Sequence, residues 1–406
     1  MGRTGNAPQG NRTARLRVLF YLPAATPWWF EMICIPLIRL TAEKHEVHVM
    51  VPPPWSGTGI GAGQIPLLAR LPDVYWHILD GPDHPLLRTD ASGQDDLFEL
   101  VRVVAPDIVL CRSADNIAPA RFPGIVRYLM EGGAPPLINA PRSVWLAPDL
   151  FDHGTLPDLS DAELALLDAL AGPVFDALDI CARPPAREAF FAMHGLPTEK
   201  RVIGLPLDYE HRENFFARHN RYPSNAATIA AIAAELDEDT ILAVTHHPLT
   251  ERHGDPRSID AVVAAQGGRV RVLASLGRQG STTQGLAAHA DGFVTGNSKS
   301  WSNAVIAGTP LVRLSPFATG DWVGAYASVA DLLSDLDRGS ARRADPLAAR
   351  RWFAFHLLNN VIDTADERLD AEAIVGRALT DADPGRWREM LERQVASDRK
   401  CKAQPA

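Results

Sequence analysis

A chain of 406 residues is long enough for two or three domains at about 100–200 residues each, which excludes a single small module. Apolar residues at 46 % and charged residues at 22 % match ordinary globular proteins, so wholesale disorder and fibrous repeats are excluded as well. With 40 basic against 49 acidic residues the net charge is −9, which argues against a bulk surface that tracks nucleic acid or anionic lipid. A local basic pocket stays compatible with that balance. No stretch approaches the ~20 uninterrupted apolar residues of a membrane span, and Met1 to Arg17 lacks the apolar core of a secretory signal. The expected location is cytoplasmic. Cys34, Cys111 and Cys181 sit in apolar runs and Cys401 in a charged tail, with no C-x-x-C spacing. They read as reduced thiols, the first three as small buried hydrophobes.

In chain order, residues 1–16 read as a disordered tail. Short apolar runs rich in β-branched residues then alternate with segments of helical period, the pattern of βα units and a parallel sheet. Expected strands in the first half are Arg17–Leu22, Glu46–Val51, Val74–Leu79, Asp107–Cys111, Leu137–Asn139 and Asp179–Cys181. Expected helices run from Trp28 to Glu43, Gln94 to Val104, Pro119 to Met130 and Asp161 to Ala171. Ser160 and Glu163 form a capping box for the last, and Gly172-Pro173 is expected to end it. The turn-rich stretch Gly204-Leu205-Pro206-Leu207-Asp208 reads as the crossover between domains. A second series follows: helix Asn225–Leu236, strand Ile241–Thr245, helix Ser258–Gln266, strand Arg269–Ala274, helix Ser281–His289, strand Gly292–Thr295, helix Ser302–Ala307 and strand Leu311–Leu314. From about Asp345 the pattern is helical, with Trp352, Phe353, Leu357 and Leu358 as its apolar stripe. The expected fold is α/β: Rossmann-like domains at 17–204 and 205–345 facing each other across a cleft, and a helical tail at 346–406 packed across them.

In open parallel sheets ligands bind beyond the carboxyl ends of the strands, and that rule ranks the motifs. The strongest runs from Gly292 to Val312: a strand, a small-residue loop, a short helix, a glycine stop and another strand. In its loop, Asn297, Ser298, Lys299 and Ser300 can hold a phosphate through hydroxyls, backbone N–H groups and one compact charge. An ordinary Ser-capped helix with Gly308 as its C′ residue explains the same letters. The second is His246-His247-Pro248, directly after a buried strand, where an imidazole can bond a phosphate or base or move a proton. A capped strand end is its plain alternative. The third is the loop Ser275 to Ser281, in which Arg278 offers a fork for a diphosphate or is simply solvated. Asp237-Glu-Asp239 lies at the wrong end of a strand for a metal motif, and Gly57 to Gly63 lacks dinucleotide-loop spacing. His211, His219 and His253 have no ligand-spaced partner, so no metal site is expected.

From about Arg187 to Leu336 these residues resemble the nucleotide-sugar-binding domain of GT-B-fold glycosyltransferases, most of all bacterial capsule and cell-surface polysaccharide enzymes. The matching residues are His247-Pro248, Ser298 and Ser300, Asn303-Ala304, and Gly308-Thr309-Pro310. The resemblance implies a nucleotide-sugar as co-substrate and no other cofactor, with donor binding through His246, His247, Arg278, Asn297, Ser298, Lys299, Ser300 and Asn303. It implies a glycan or lipid-linked acceptor, no nucleic acid, and leaves peripheral membrane association open. Where many members carry a glutamate for the donor ribose, this chain has Asn303, which keeps cytidylyl-activated donors in view. The hexosamine 2-epimerases share the arrangement, but their His-Arg-Arg-Glu-Asn run is absent, the residues here being His246-His-Pro-Leu-Thr250. The amino half is similar only in pattern. Pro23-Ala-Ala-Thr-Pro27 replaces the usual glycine-rich loop, followed by Trp28, Trp29 and Phe30, which stack on a sugar, touch a membrane-bound acceptor or fill a helix core.

The implied reaction is a metal-independent glycosyl transfer, with Ser298, Lys299, Ser300 and Arg278 stabilising charge on the departing phosphate. An inverting reaction needs a base from the amino domain, for which Asp149, Asp152 and His153 are candidates and Asp115 a rival. A sugar-nucleotide 2-epimerase, a CDP-polyol phosphotransferase and a non-catalytic nucleotide-sugar-binding protein are the alternatives on the same fold.

Overall fold

The computed structural model describes residues 15–80, 84–139, 142–178, 184–277 and 281–392. The first sheet contains β1 (Arg17–Tyr21), β2 (Glu46–Val51), β3 (Val74–Ile78), β4 (Ile108–Cys111), β5 (Ile125–Glu131) and β6 (Ser143–Ala147). The second contains β7 (Arg201–Pro206), β8 (Thr240–Thr245), β9 (Val270–Val272), β10 (Gly292–Thr295) and β11 (Leu311–Arg313). A last strand, β12 (Val361–Asp363), returns to the first sheet, giving the orders β12-β6-β5-β4-β1-β2-β3 and β11-β10-β7-β8-β9. The five strands β1 to β5 and the five strands β7 to β11 are parallel and follow one topology, with the first strand of each set central and the fourth beside it. Two Rossmann-like sheets facing across a cleft, with a carboxyl-terminal extension, are therefore the architecture.

The central strands are apolar runs buried on both faces, as parallel sheets covered by helices require. Thr26 caps the first helical stretch through the Trp29 N–H, and Pro27 opens it. Helical backbone then runs on to Ala42 through a π turn at Phe30–Cys34. The turn lies just ahead of Pro36, which has no N–H to give the Met32 carbonyl. The Thr364 hydroxyl takes that carbonyl instead, at 2.9 Å, and ties the extension to the first unit.

Three sequence expectations change in the first unit. The helix expected from Pro119 to Met130 is a short turn at Pro119–Arg121 followed by β5. Ile125–Glu131 carries β-branched and aromatic residues, and pairing with β4 and β6 outweighs its helical spacing. The strand expected at Leu137–Asn139 is only a bridge between Ile138 and Ala134, while β6 follows where none was expected. The helix from Asp161 does not stop at Gly172-Pro173 but continues to Leu178. It packs on the helix Pro346–Phe355, with Asp168 paired to Arg351 at 2.6 Å and Arg350 4.9 Å from the Phe175 ring. The strand expected at Asp179–Cys181 lies outside the described residues.

The crossover also moves. Arg201–Pro206 is the central strand of the second sheet, so a boundary at 204/205 falls inside it. Gly204 looks like a turn signal, but it is there for close packing. A Cβ would meet Leu286 and Phe293 side-chain atoms at 2.9 Å. The segment after Asp345 is not wholly helical either, since β12 pairs antiparallel with β6.

An aromatic stack joins the two units and the extension. Trp301 and Trp352 meet edge-on at 4.9 Å, His153 stacks on Trp301 at 5.2 Å, and His356 stacks on Trp352 at 4.8 Å. Burial of each of these two tryptophans removes roughly 150–250 Å² from water, worth ~4–6 kcal/mol in transfer terms. Arg313 donates to the Phe151 carbonyl at 2.6 Å, Trp322 to that of Gly154 at 2.6 Å and Ser302 to that of Pro135 at 2.5 Å.

Candidate functional site

Among the described residues, one ion pair joins the carboxyl edges of the two sheets. Lys299, in the loop after β10, reaches Glu131 at the end of β5, with Nζ and Oε2 2.7 Å apart. Both side chains are half exposed, so the pair stands in a solvated cleft. The ammonium pulls the Glu131 carboxyl down to about 2. Arg112 adds to that positive field from the first unit.

On the second edge, β8 delivers His246 and His247. The His247 Nδ1 accepts the Leu249 N–H at 3.1 Å and caps the short helix Pro248–His253, which leaves Nε2 as the donor. Burial holds its pKa below the ordinary value, partly offset by Glu131, so the ring is neutral near pH 7. The cap expected as the plain alternative is therefore present, and the free Nε2 is the atom available to a ligand. In the loop after β10, the Ser298 Oγ accepts from the Ser300 N–H at 3.2 Å and bonds the Ser300 Oγ at 2.9 Å. Lys299 and Ser300 carbonyls take the N–H groups of Ser302 and Asn303. The helix start is thus more self-satisfied than the sequence pattern suggests. Its helix spans only Trp301–Ala307 and ends at Gly308, whose φ of 69° fits the expected C′ glycine.

Two donor-site candidates serve the loop itself. Asn297 donates to the His219 carbonyl at 3.1 Å and the Asn220 Oδ1 at 3.2 Å, and accepts from Ser315 at 2.6 Å. Asn303 is buried, with its amide on the Ser300 carbonyl at 3.3 Å. Arg278 lies outside the described residues.

The first edge is built differently. Arg112 follows β4 with its guanidinium between the Trp29 ring at 3.7 Å and the Phe216 ring at 4.5 Å, and donates to the Leu129 carbonyl at 2.8 Å. Burial lowers its pKa to about 10, still charged at neutral pH. Phe216 belongs to segment 209–222, which crosses from the second unit onto this edge. There Phe215 stacks on Trp55 at 5.5 Å and His219 Nε2 bonds the Ala114 carbonyl at 2.7 Å.

The bases named from the sequence do not gather at the ion pair. Asp115 is buried, and its carboxylate accepts the N–H groups of Ala91, Ile117 and Ala118 at 2.7, 2.8 and 3.2 Å. That is a loop latch rather than a base. His153 is buried in the aromatic stack, bridges Thr319 through its backbone and has no partner on Nδ1. Asp152 is buried and bonded to Thr155, with desolvation raising its pKa. Asp149 is exposed and accepts the neighbouring Leu150 N–H at 2.7 Å. Glu131 was missed because its segment reads as helix; read as a strand, it stands at the carboxyl end where ligand groups collect.

A cavity of about 220 Å³ lies away from the ion pair, between Trp145, Asp152 and residues of the extension. Among its lining groups Arg127 pairs with Asp381 at 2.7 Å, and Asn360 reaches His356 behind the wall at 3.3 Å. Among the described residues no group of three or more His, Cys, Asp or Glu is placed to hold a metal ion, and no helix is long and apolar enough to cross a membrane.

No family model matches the chain, and no curated protein matches it. Among solved structures it is similar to the Escherichia coli ADP-heptose lipopolysaccharide heptosyltransferase II, at 17 % identity over 75 % of this chain and 86 % of that one, with a TM-score of 0.26. A β-Kdo 2,4 transferase from Thermosulfurimonas dismutans matches at 12 % identity over 84 % of this chain and 90 % of that one, with a TM-score of 0.41. An Anabaena protein in complex with UDP and glucose matches at 12 % identity over 91 % and 100 %, with a TM-score of 0.34. Likenesses this distant say nothing of what this chain binds or does, and the reading of its function rests on its own residues.

Proposed function

We propose that this chain is a metal-independent glycosyltransferase of the GT-B type, moving a sugar from a nucleotide-activated donor to a hydroxyl acceptor in the cleft between the sheets. The observation that carries the reading is the Lys299–Glu131 pair, a cation from one carboxyl edge against a carboxylate from the other. A donor phosphate competes with Glu131 for Lys299. Once it takes the ammonium, the Glu131 carboxyl rises from about 2 toward the ordinary ~4.3 and becomes the stronger base. In the transfer the acceptor oxygen bonds the anomeric carbon, its proton passes to Glu131, and the carbon–oxygen bond to phosphate breaks with its electron pair leaving on the phosphate. Lys299, the Ser298 hydroxyl and the His247 Nε2–H stabilise that charge. We place the activity in the cytoplasm and its product in surface polysaccharide or glycoconjugate synthesis, in line with the resemblance of the carboxyl half.

The test is a thermal-shift and calorimetric screen with UDP, GDP, CDP, CMP and dTDP, on the wild type and Lys299→Ala, with and without a chelator. One nucleotide raises the melting temperature, the substitution weakens its binding by about 10- to 100-fold, and the chelator changes nothing. No response to any nucleotide, or a strict requirement for a divalent ion, overturns the proposal. Product analysis with a labelled donor separates transfer from 2-epimerisation, which needs no acceptor.

A further inference from the structure

Asp208 stands two residues beyond the end of β7, the central strand of the second sheet, at the point where successive connections leave toward opposite sides. Its backbone is pinned on both sides: its N–H donates to the Asn225 Oδ1 at 3.1 Å and its carbonyl accepts from the Asn225 Nδ2 at 3.0 Å. The carboxylate itself makes no hydrogen bond and no ion pair among the described residues. Burial without such partners raises it to about 6, leaving it ionised in the range where nucleotides are handled.

Gly296 lies opposite. A Cβ built there would stand 3.7 Å from the Asp208 Oδ2 and 3.7 Å from the Leu314 carbonyl, so the glycine holds open the space in front of the carboxylate. The cleft between them, lined also by Asn220, Tyr222, Asn225 and Thr295, measures about 20 Å³. That is room for one or two oxygen atoms, not for a whole ring. Three of its other hydrogen-bonding side chains are committed. Asn225 holds the Asp208 backbone, the Thr295 hydroxyl donates to the Ser298 carbonyl at 3.4 Å, and the Asn220 Oδ1 accepts from Asn297 at 3.2 Å.

A partly buried carboxylate with spare acceptor capacity and no ion pair among the described residues repels a phosphate and lacks only donors; Arg221, which also lines the cleft, is exposed and donates to the Ala327 carbonyl at 3.3 Å. Two neighbouring hydroxyls supply two donors at the spacing of its two oxygens. We infer that Asp208, facing the gap kept by Gly296, binds a vicinal diol of the bound nucleotide sugar. This assignment rests on the donor reading above and adds a specificity residue to it. The diol comes either from the ribose or from the transferred sugar, and the two sources are separable by experiment.

Calorimetry at pH 7.5 on the wild type, Asp208→Asn and Gly296→Ala uses three probes built on the nucleotide that binds: the nucleoside diphosphate, its 2′,3′-dideoxy analogue and the corresponding nucleotide glucose. Asn keeps the size of the side chain and loses the charge, while Ala at 296 fills the gap and leaves the charge. If the ribose supplies the diol, the wild type prefers the ribonucleotide over the dideoxy analogue by about 10- to 100-fold, and both variants reduce that ratio to near one. With the sugar as the source, that ratio stays unchanged, and both variants instead abolish the gain in affinity that glucose adds. Retention of both preferences in Asp208→Asn overturns the inference and leaves the donor reading standing. No binding of any probe to the wild type overturns both.

Discussion

The two sheets share one strand order, yet their carboxyl edges are finished in opposite ways. At the first, Glu131 alone of the groups named here reaches across the cleft and the others are consumed internally: Arg112 lies between two aromatic rings, Asp115 is filled by three backbone N–H groups, and Arg88 donates to Thr58 at 2.7 Å and to the Pro53 carbonyl at 3.0 Å. At the second, Lys299 is half exposed, His247 keeps one nitrogen free of its cap, and Asp208 keeps a carboxylate that no described residue donates to. A common topology therefore places both edges at the cleft without deciding which one receives a ligand. That decision lies in whether each polar atom already has a partner, because a satisfied group gains little from a ligand and an unsatisfied one gains a full hydrogen bond.

Four experiments bear on this contrast. The largest effect is expected at the contact that holds the two edges in register. Trp301→Ala opens a cavity in the aromatic stack and costs ~3–5 kcal/mol, read by urea denaturation. Loss of coupling should also split one unfolding transition into two, and a single unshifted transition would show that the stack is not what joins the units.

Acid comes next. Burial depresses His356 to about 4 and puts His153 well below its ordinary value, so both are neutral in the fold and protonate first in the unfolded chain. Their contribution is intact above pH ~6.5 and declines as pH falls toward about 4, on the order of 3 kcal/mol for His356 alone. His356→Gln should flatten that slope in melting curves recorded from pH 7 to 4. An unchanged slope would place the acid sensitivity elsewhere.

Arg112→Ala removes a buried cation from between Trp29 and Phe216 and is expected to cost ~2 kcal/mol of stability while nucleotide affinity stays within twofold. If instead it weakens nucleotide binding more than Lys299→Ala does, the roles of the two edges are reversed.

The smallest stability effect belongs to Glu131→Gln. Its ion pair is half exposed and worth under ~1 kcal/mol, contributed above the ordinary carboxylate pKa and lost as pH falls from ~4.3 toward about 2. Transfer activity should nevertheless fall by ~100-fold or more with nucleotide affinity preserved or tightened, since the proton acceptor is removed together with the carboxylate that competes for Lys299. A variant as active as the wild type would return the base to Asp149 or to another group.

Much of the fold was legible because β1, β2, β4, β8, β10 and β11 are apolar runs bounded by turn residues. What escaped shares a cause. β5 carries helical spacing and becomes a strand through its neighbours, and β7 contains the turn letters Gly204 and Pro206, of which Gly204 here allows close approach of Leu286 and Phe293. Both segments carry the proposed site residues: Glu131 ends the strand that reads as helix, and Asp208 follows the one that reads as a crossover. Ser298, Lys299 and His247 were found because they follow strands whose pattern is unambiguous.

Local pattern by itself determined the α/β class, two successive βα series and the position of the loop that carries Lys299, since these depend on near-neighbour spacing and backbone preference. Only the tertiary structure decided that Glu131 faces Lys299, that β12 returns to the first sheet and that Asp115 is a latch. Each of those depends on pairing between residues far apart in sequence, where burial and hydrogen-bond partners, not residue type, determine what a side chain has left to offer a ligand.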